Sequence, residues 1–175
     1  VRWIVDPTTV DAASPLASYA VTVGPVEKWT SVSSTRLTGA AKVIREAGTL
    51  WINPNAGAGA VTGALCALNI FRTSFSNWQS CYPMGKVMAE AGPKKVMSIT
   101  WKYAAGEEMV GAFKEGFTKA GGKVEAELFV PFPEVEFQSY LTQIAEKKPD
   151  AVFTFFAGGG AVKFVKDYHA AGLRK

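Results

Sequence analysis

Residues 95–130 read KVMSITWKYAAGEEMVGAFKEGFTKAGGKVEAELFV, and they spell one complete strand–helix–strand unit. Lys95 to Trp101 is a short run rich in β-branched and large apolar residues, the composition of a buried strand. Val110, Phe113 and Phe117 then recur at helical spacing, and Gly121-Gly122 stands where a helix ends. Val124 to Val130 returns to strand character. A helix inserted between two strands is the signature of a parallel sheet.

The same rhythm extends outward in both directions. Further strands are predicted at Val21–Gly24, Leu50–Asn53, Ile70–Phe75 and Ala151–Phe156. Leu37, Ala40, Ala41, Ile44 and Ala47 keep a helical period up to a capping Gly48. Phe137, Leu141 and Ile144 do so before Pro149-Asp150 opens the next strand. Val162, Val165 and Tyr168 form the last apolar face, closed by Gly172, and all these stripes read as core. Segment 54–69, rich in glycine and small residues without apolar period, is predicted to be a loop at the carboxyl edge of a parallel sheet, where open α/β folds bind ligands. The first 20 residues show no comparable order.

Composition narrows the function classes. With 175 residues, 48% hydrophobic and 19% charged, the chain has the make-up of an ordinary globular protein. No apolar run approaches the roughly 20 residues of a membrane span. The start lacks a basic stretch followed by an apolar one, so any export leader is expected to be already removed. The formal charge of +4 is spread over scattered pairs such as Lys94-Lys95 and Lys147-Lys148 at turns, with no basic stripe interleaved with aromatics, and nucleic acid is not expected as a partner. Cys66, Cys81 and the single His169 cannot assemble a tetrahedral Cys/His metal set. The two cysteines are either a disulfide formed in an oxidising compartment or a pair of buried thiols.

Motifs for covalent chemistry are missing. Gly57 to Gly63 resembles a dinucleotide loop, but the stretch Ala64 to Leu68 is too short to supply the helix that would receive a pyrophosphate. Gly158-Gly159-Gly160 precedes a helix expected to begin near Ala161, yet Lys163 stands where the last glycine of a G-x-G-x-x-G run belongs. This triplet either leaves bare helix amides for an anion or lets strand and helix pack closely. There is no G-x-S-x-G elbow and no H-E-x-x-H pair, and His169 is expected to be exposed near a helix end that its protonated form would suit. Glu107-Glu108, Glu134 and Glu136 fall near helix starts, where they complement the dipole. Trp101, Tyr103, Phe155 and Phe156, by contrast, would gather on one rim of the sheet with Trp78 nearby. Tyr103, just past its strand, offers a pocket both a flat face and a hydroxyl.

The run Asn69 to Gln79, then Ile99 to Gly106, Phe137 to Ile144 and Pro149 to Phe153, is similar to the branched-chain amino acid binding protein family, within the type I periplasmic solute-binding proteins. It most resembles the branch linked with aromatic carboxylates, and the order of elements is kept from Val21 to Lys175. The resemblance implies an α/β fold of three-layer parallel sheets flanked by helices, in two lobes that close on a ligand. Residues 1–69 would be part of the first lobe, 70–75 a crossing hinge strand and 76–175 the second lobe. Opening βα units, return strands and a C-terminal part of the family are not matched, so the fold is expected to be incomplete.

The same resemblance implies site residues. Asn55, Ala56 and Gly57 inherit the loop that holds the ligand carboxylate, Tyr103 matches the lid tyrosine, and Asn77 and Trp78 match pocket residues after the crossing strand. Phe156 belongs to the same rim, and Ala157 falls where amino-acid binders often carry an aromatic, leaving room for a larger ligand. The family's small hydroxyl residue after Gly24-Pro25 is replaced around Lys28-Trp29, where Lys28 is either an anion partner or a surface lysine.

The expectation is therefore a periplasmic, monomeric solute-binding component of an ABC importer, not an enzyme. It would need no cofactor and no metal, insert no segment into the membrane, capture an aromatic acid or a branched-chain amino acid, and present it to a membrane permease. The rival readings are a nucleotide-dependent Rossmann-type enzyme and a ligand-sensing domain of the same fold.

Overall fold

The computed structural model describes residues 19–22, 29–32 and 37–174, with side chains from Ala40 onward. Lys28 and residues 1–18 lie outside the described residues. The chain divides into two compact units, Val1–Ser76 and Asn77–Lys175.

In the first unit, β1 (Tyr19–Thr22) pairs antiparallel with β2 (Trp29–Val32). The described strand includes Tyr19 and Ala20 ahead of the expected start at Val21, and residues 23–24 of the expected strand lie outside the described residues. β2 was not anticipated, and its antiparallel partnership departs from an all-parallel expectation. Helix α1 (Leu37–Ala47) follows and ends at Gly48, whose φ of 64° a residue with a side chain adopts only with strain. β3 (Trp51–Asn53) then runs parallel to β4 (Ile70–Arg72), with Trp51 opposite Ile70. Ala41 and Ile44 of α1 bury against these two residues and Val61.

Two expectations are corrected here. Segment 54–69 is not wholly loop, because Gly59–Thr62 forms a one-turn helix, α2, anchored by the fully buried Val61. The strand expected over 70–75 ends at Arg72, where the ladder with the three-residue β3 runs out.

The second unit holds α3 (Asn77–Glu90), β5 (Val96–Lys102), α4 (Ala104–Lys119), β6 (Val124–Pro131), α5 (Gln138–Lys147), β7 (Ala151–Phe155) and α6 (Gly158–Ala170). Its sheet has the order β6-β5-β7 with both pairings parallel. The central strand β5 is buried on both faces, as its nearly continuous apolar run requires. Met97, Ile99 and Trp101 point into one core with Leu141, Ile144 and Phe164 of α5 and α6. Val96 points the other way, toward Cys81 of α3 and Met109, Phe113 and Phe117 of α4. Successive strand residues alternate faces, so one strand serves two helix layers.

Helices α3 and α4 approach backbone to backbone. A Cβ on Gly85 would strike the Phe113 carbonyl and the Phe117 amide, and one on Gly116 would strike the Tyr82 carbonyl. Helix α6 departs from its sequence reading in two ways. It starts at Gly158, earlier than Ala161, and its buried residues are Gly160 and Phe164, while Val162 and Val165 are 56% and 63% exposed. The reason is topological: β7 is an edge strand, so the helix flank beyond it has no neighbouring layer among the described residues.

Candidate functional site

Connections within the second unit create a crevice. β5 leads into α4 on one face of the sheet, whereas the adjacent β7 leads into α6 on the other. Neighbouring strands whose helices leave to opposite faces open a gap at their carboxyl ends, the usual ligand position in open α/β folds. Tyr103 stands at the end of β5 and Ala157 at the end of β7.

Tyr103 is fixed by its backbone. Its N–H donates to the Trp101 carbonyl at 3.0 Å, and its own carbonyl accepts from Glu107 N–H at 3.0 Å as α4 begins. Its ring stacks on Phe132 at 5.0 Å between centroids and 24° between planes, and on Phe155 at 6.5 Å and 15°. Burial pushes its phenol up to about 12, so near neutrality it is an uncharged hydroxyl able to donate a hydrogen bond. No hydrogen bond to that hydroxyl is made among the described residues.

Other sequence-predicted aromatics divide between rim and core. Trp101 is 1% exposed, and its indole N–H donates to the Glu134 carbonyl at 2.6 Å. Phe156 is also buried, edge-on to Trp101 and packed with Phe137 and Phe164. On β7 it is Phe155, one residue earlier and facing the other way, that reaches Tyr103. Trp78 is 46% exposed on α3, stacks on Tyr82 at 4.4 Å and donates to Glu115 Oε2 at 3.2 Å. Its ring partner is therefore Tyr82 and not the rings around Tyr103. Asn77 is buried at the start of α3, where its amide donates to Glu108 Oε2 at 2.6 Å.

Ala157 is the half-buried residue at which α6 begins, with extended backbone. No acidic residue occupies the first turn of α6, so the helix's own side chains leave its positive dipole end unneutralised. Of the two readings of the glycine triplet, close packing holds at Gly160, where a Cβ would run into the Trp101 ring. Gly159 has open space around it.

In the first unit, Asn55 is exposed, Ala56 half-buried and Gly57 buried. Asn53, which the sequence reading left as the last residue of a strand, organises this loop. Its Oδ1 accepts from Ala56 N–H at 2.9 Å and Asn55 N–H at 3.3 Å, and its Nδ2 donates to the Ala56 carbonyl at 2.7 Å. Arg72 donates to the Ala58 carbonyl at 2.9 Å. The amides of Asn55 and Ala56 are thus already engaged, which leaves Gly57 N–H, Ala58 N–H and the Asn55 side chain as free donors of the loop among the described residues. An asparagine at a strand end followed by Pro-Asn is a turn signal that could have revealed Asn53. Phe132 was missed although it stands one residue past its strand, as Tyr103 does.

A groove of about 560 Å³ lies elsewhere, along the outer edge of β7 against α6, lined by Val152, Thr154, Val165, Tyr168, His169 and Arg174. Its walls are a strand edge and a helix flank rather than the carboxyl rim, so we do not assign it the ligand. His169 is exposed in the last turn of α6. Cys66 is exposed and Cys81 buried, both as free thiols, so only one of the two is buried. Among the described residues no group of three His, Cys, Asp or Glu side chains could hold a metal ion. No described helix is long and apolar enough to cross a membrane.

Comparison with known proteins gives these features a context. A family described as periplasmic binding protein matches residues 6–175. A solute-binding protein of an R. palustris ABC transporter, solved in complex with benzoate, is 53% identical with a TM-score of 0.78 over 81% of this chain and 39% of its own. A second from R. palustris, solved with 4-hydroxybenzoate, is 31% identical with a TM-score of 0.73 over 78% of this chain and 37% of its own. A Leu/Ile/Val-binding protein homolog from Brucella melitensis is 34% identical over 106 residues, 60% of this chain and 27% of that relative. The chain thus spans well under half the length of the proteins it matches.

Proposed function

The chain belongs to the periplasmic binding protein family, and from that premise we propose that it serves as the extracytoplasmic solute-binding component of an ABC importer that captures a small aromatic carboxylate. The observation that carries this reading is the ring-lined rim around Tyr103, set at the crevice between β5 and β7. Flat apolar walls suit an aromatic ring, while a neutral phenol and the start of α6, with no acidic residue in its first turn, suit an anion. Likeness to the benzoate-bound R. palustris protein supports the same ligand class.

The remaining assignments follow as proposals. Residues 1–69 contribute to a first lobe, 70–75 to a crossing strand and 76–175 to a second lobe. Gly57 N–H and the Asn55 side chain, with Ala56 between them, contact the carboxylate. Tyr103, Asn77 and Ala157 shape the second-lobe side. Phe156 acts from behind, through the core it shares with Trp101. The protein works as a monomer in the periplasm and delivers its ligand to a membrane permease, with no covalent step. Hydrogen bonds to a charged group contribute about 1.5–3 kcal/mol each and burial of a ring a similar amount. Two or three such bonds with one ring are enough for the roughly 8 kcal/mol of a micromolar complex after association costs.

Isothermal titration of the full chain with benzoate and with leucine tests the proposal. Micromolar binding of benzoate with no heat from leucine is the expected result. Binding of leucine alone would move the ligand to the branched-chain amino acids, the class to which the Brucella relative's name points.

A further inference from the structure

Three rings meet near the carboxyl edge of the second unit's sheet: Phe132, Tyr103 and Phe155. The ladder accounts for the contact with Phe132. β5 is central, with β6 on one side and β7 on the other. Lys102 is opposite Pro131, so Tyr103 and Phe132 are the next residues out on neighbouring strands, while Phe155 is opposite Thr100 on the other side. Both neighbours lie nearly parallel to the phenol, at 24° and 15°. Phe132, the nearer at 5.0 Å, already stacks on the Tyr103 ring, with Phe155 farther off at 6.5 Å, so the stacking partners of the phenol come from the protein and its hydroxyl is left for a ligand.

Phe132 is itself held on more than one side. Trp101 meets it edge to face at 5.3 Å and 88°. The Trp101 indole N–H also bonds the Glu134 carbonyl at 2.6 Å, and Glu134 N–H bonds the Pro131 carbonyl at 2.8 Å, closing a turn around Phe132. This arrangement leaves Phe132 little freedom to swing away from the phenol.

We propose that Phe132 is a positioning residue that stacks on Tyr103 and fixes its ring, so that Tyr103 recognises the ligand through its hydroxyl and not by stacking its ring. The inference rests on the carboxylate reading of the same rim and specifies how that rim discriminates. A phenol held by its neighbour favours an anion that accepts its hydrogen bond, and within the same rim the ligand's aromatic ring does not stack on Tyr103 itself.

A double-mutant cycle on the full chain, read by titration with benzoate, tests it. Tyr103→Phe keeps the ring and removes the donor, and is expected to weaken benzoate binding by about ten- to a hundredfold. Phe132→Ala is expected to weaken it in the Tyr103 background and to have no further effect in the Tyr103→Phe background, with Phe132→Tyr restoring affinity because the ring is retained. Additive losses, or full affinity in Phe132→Ala, would overturn the proposal. A ligand-free arm uses ¹³C-labelled tyrosine and NMR. Phe132→Ala should lower the Tyr103 phenol from about 12 toward the ordinary value by exposing it to water, and an unmoved titration also counts against Phe132. Failure of the unsubstituted chain to bind benzoate overturns the proposed function. The NMR arm shows separately whether Phe132 positions the phenol.

Discussion

Tyr103 concentrates the chemistry of the second unit at one hydroxyl. Its phenol is raised to about 12 by burial, whereas an unfolded tyrosine titrates near 10. Between those values the folded chain holds a proton that the unfolded chain has released, so stability contributed by this group is complete below about pH 10 and is lost as pH rises toward 12. Alkaline denaturation curves of the parent and Tyr103→Phe proteins should therefore diverge only above about pH 10, the parent losing stability more steeply. Identical curves would mean that the phenol is as hydrated as in the unfolded chain. For ligand affinity, Tyr103→Ala is expected to weaken carboxylate binding more than His169→Ala, because His169 sits exposed at the far end of α6. Equal effects in a titration would remove Tyr103 from the site. Asn53 is the corresponding control point of the first unit. Replacing it by alanine strips three hydrogen bonds from a buried loop anchor and should cost about 1–3 kcal/mol in denaturant unfolding.

Elements were legible where one periodicity ruled. Val110, Phe113 and Phe117, like Phe137, Leu141 and Ile144, are buried where their spacing placed them, because both helices lie against a central strand that demands an apolar stripe. Val162 and Val165 kept the same spacing yet lie exposed, since apolar periodicity records a helix face but not whether a neighbouring layer covers it. Phe132 was illegible for another reason: its importance comes from a residue met across a ladder, which linear spacing does not encode, whereas Asn53 stands in a local Asn-Pro-Asn turn signal. The crossing of α3 and α4 is a third such case. Gly85 and Gly116 look like weak points in helical stretches, but each fills a place where the opposing backbone leaves no room for a Cβ. Gly85→Ala and Gly116→Ala are each expected to destabilise the second unit by about 1–3 kcal/mol, although alanine is the better helix former. A rise in melting temperature for either variant would contradict this crossing.

At the scale of the whole molecule, each unit contains parallel strands whose carboxyl ends open into loops carrying polar or aromatic groups, with the antiparallel β1–β2 pair an addition in the first. That plan was readable from the strand–helix alternation and from the family resemblance, and the family match over residues 6–175 bears it out. The site was less readable. Tyr103 emerged from its place one residue past β5, but the choice between Phe155 and Phe156 depends on strand phase, and an error of one residue exchanges rim for core. The proposed function asks for no reaction: in it a neutral donor, apolar walls and a positive helix end capture an aromatic anion reversibly for an importer. The measurement that tests this most directly is a thermal-shift series on the full chain with benzoate, leucine and a nicotinamide dinucleotide. Benzoate at a hundred times its Kd should stabilise the folded chain by about 2.7 kcal/mol and raise its melting temperature, with the dinucleotide inert. A shift with the dinucleotide alone would contradict the account and point to a Rossmann-type enzyme.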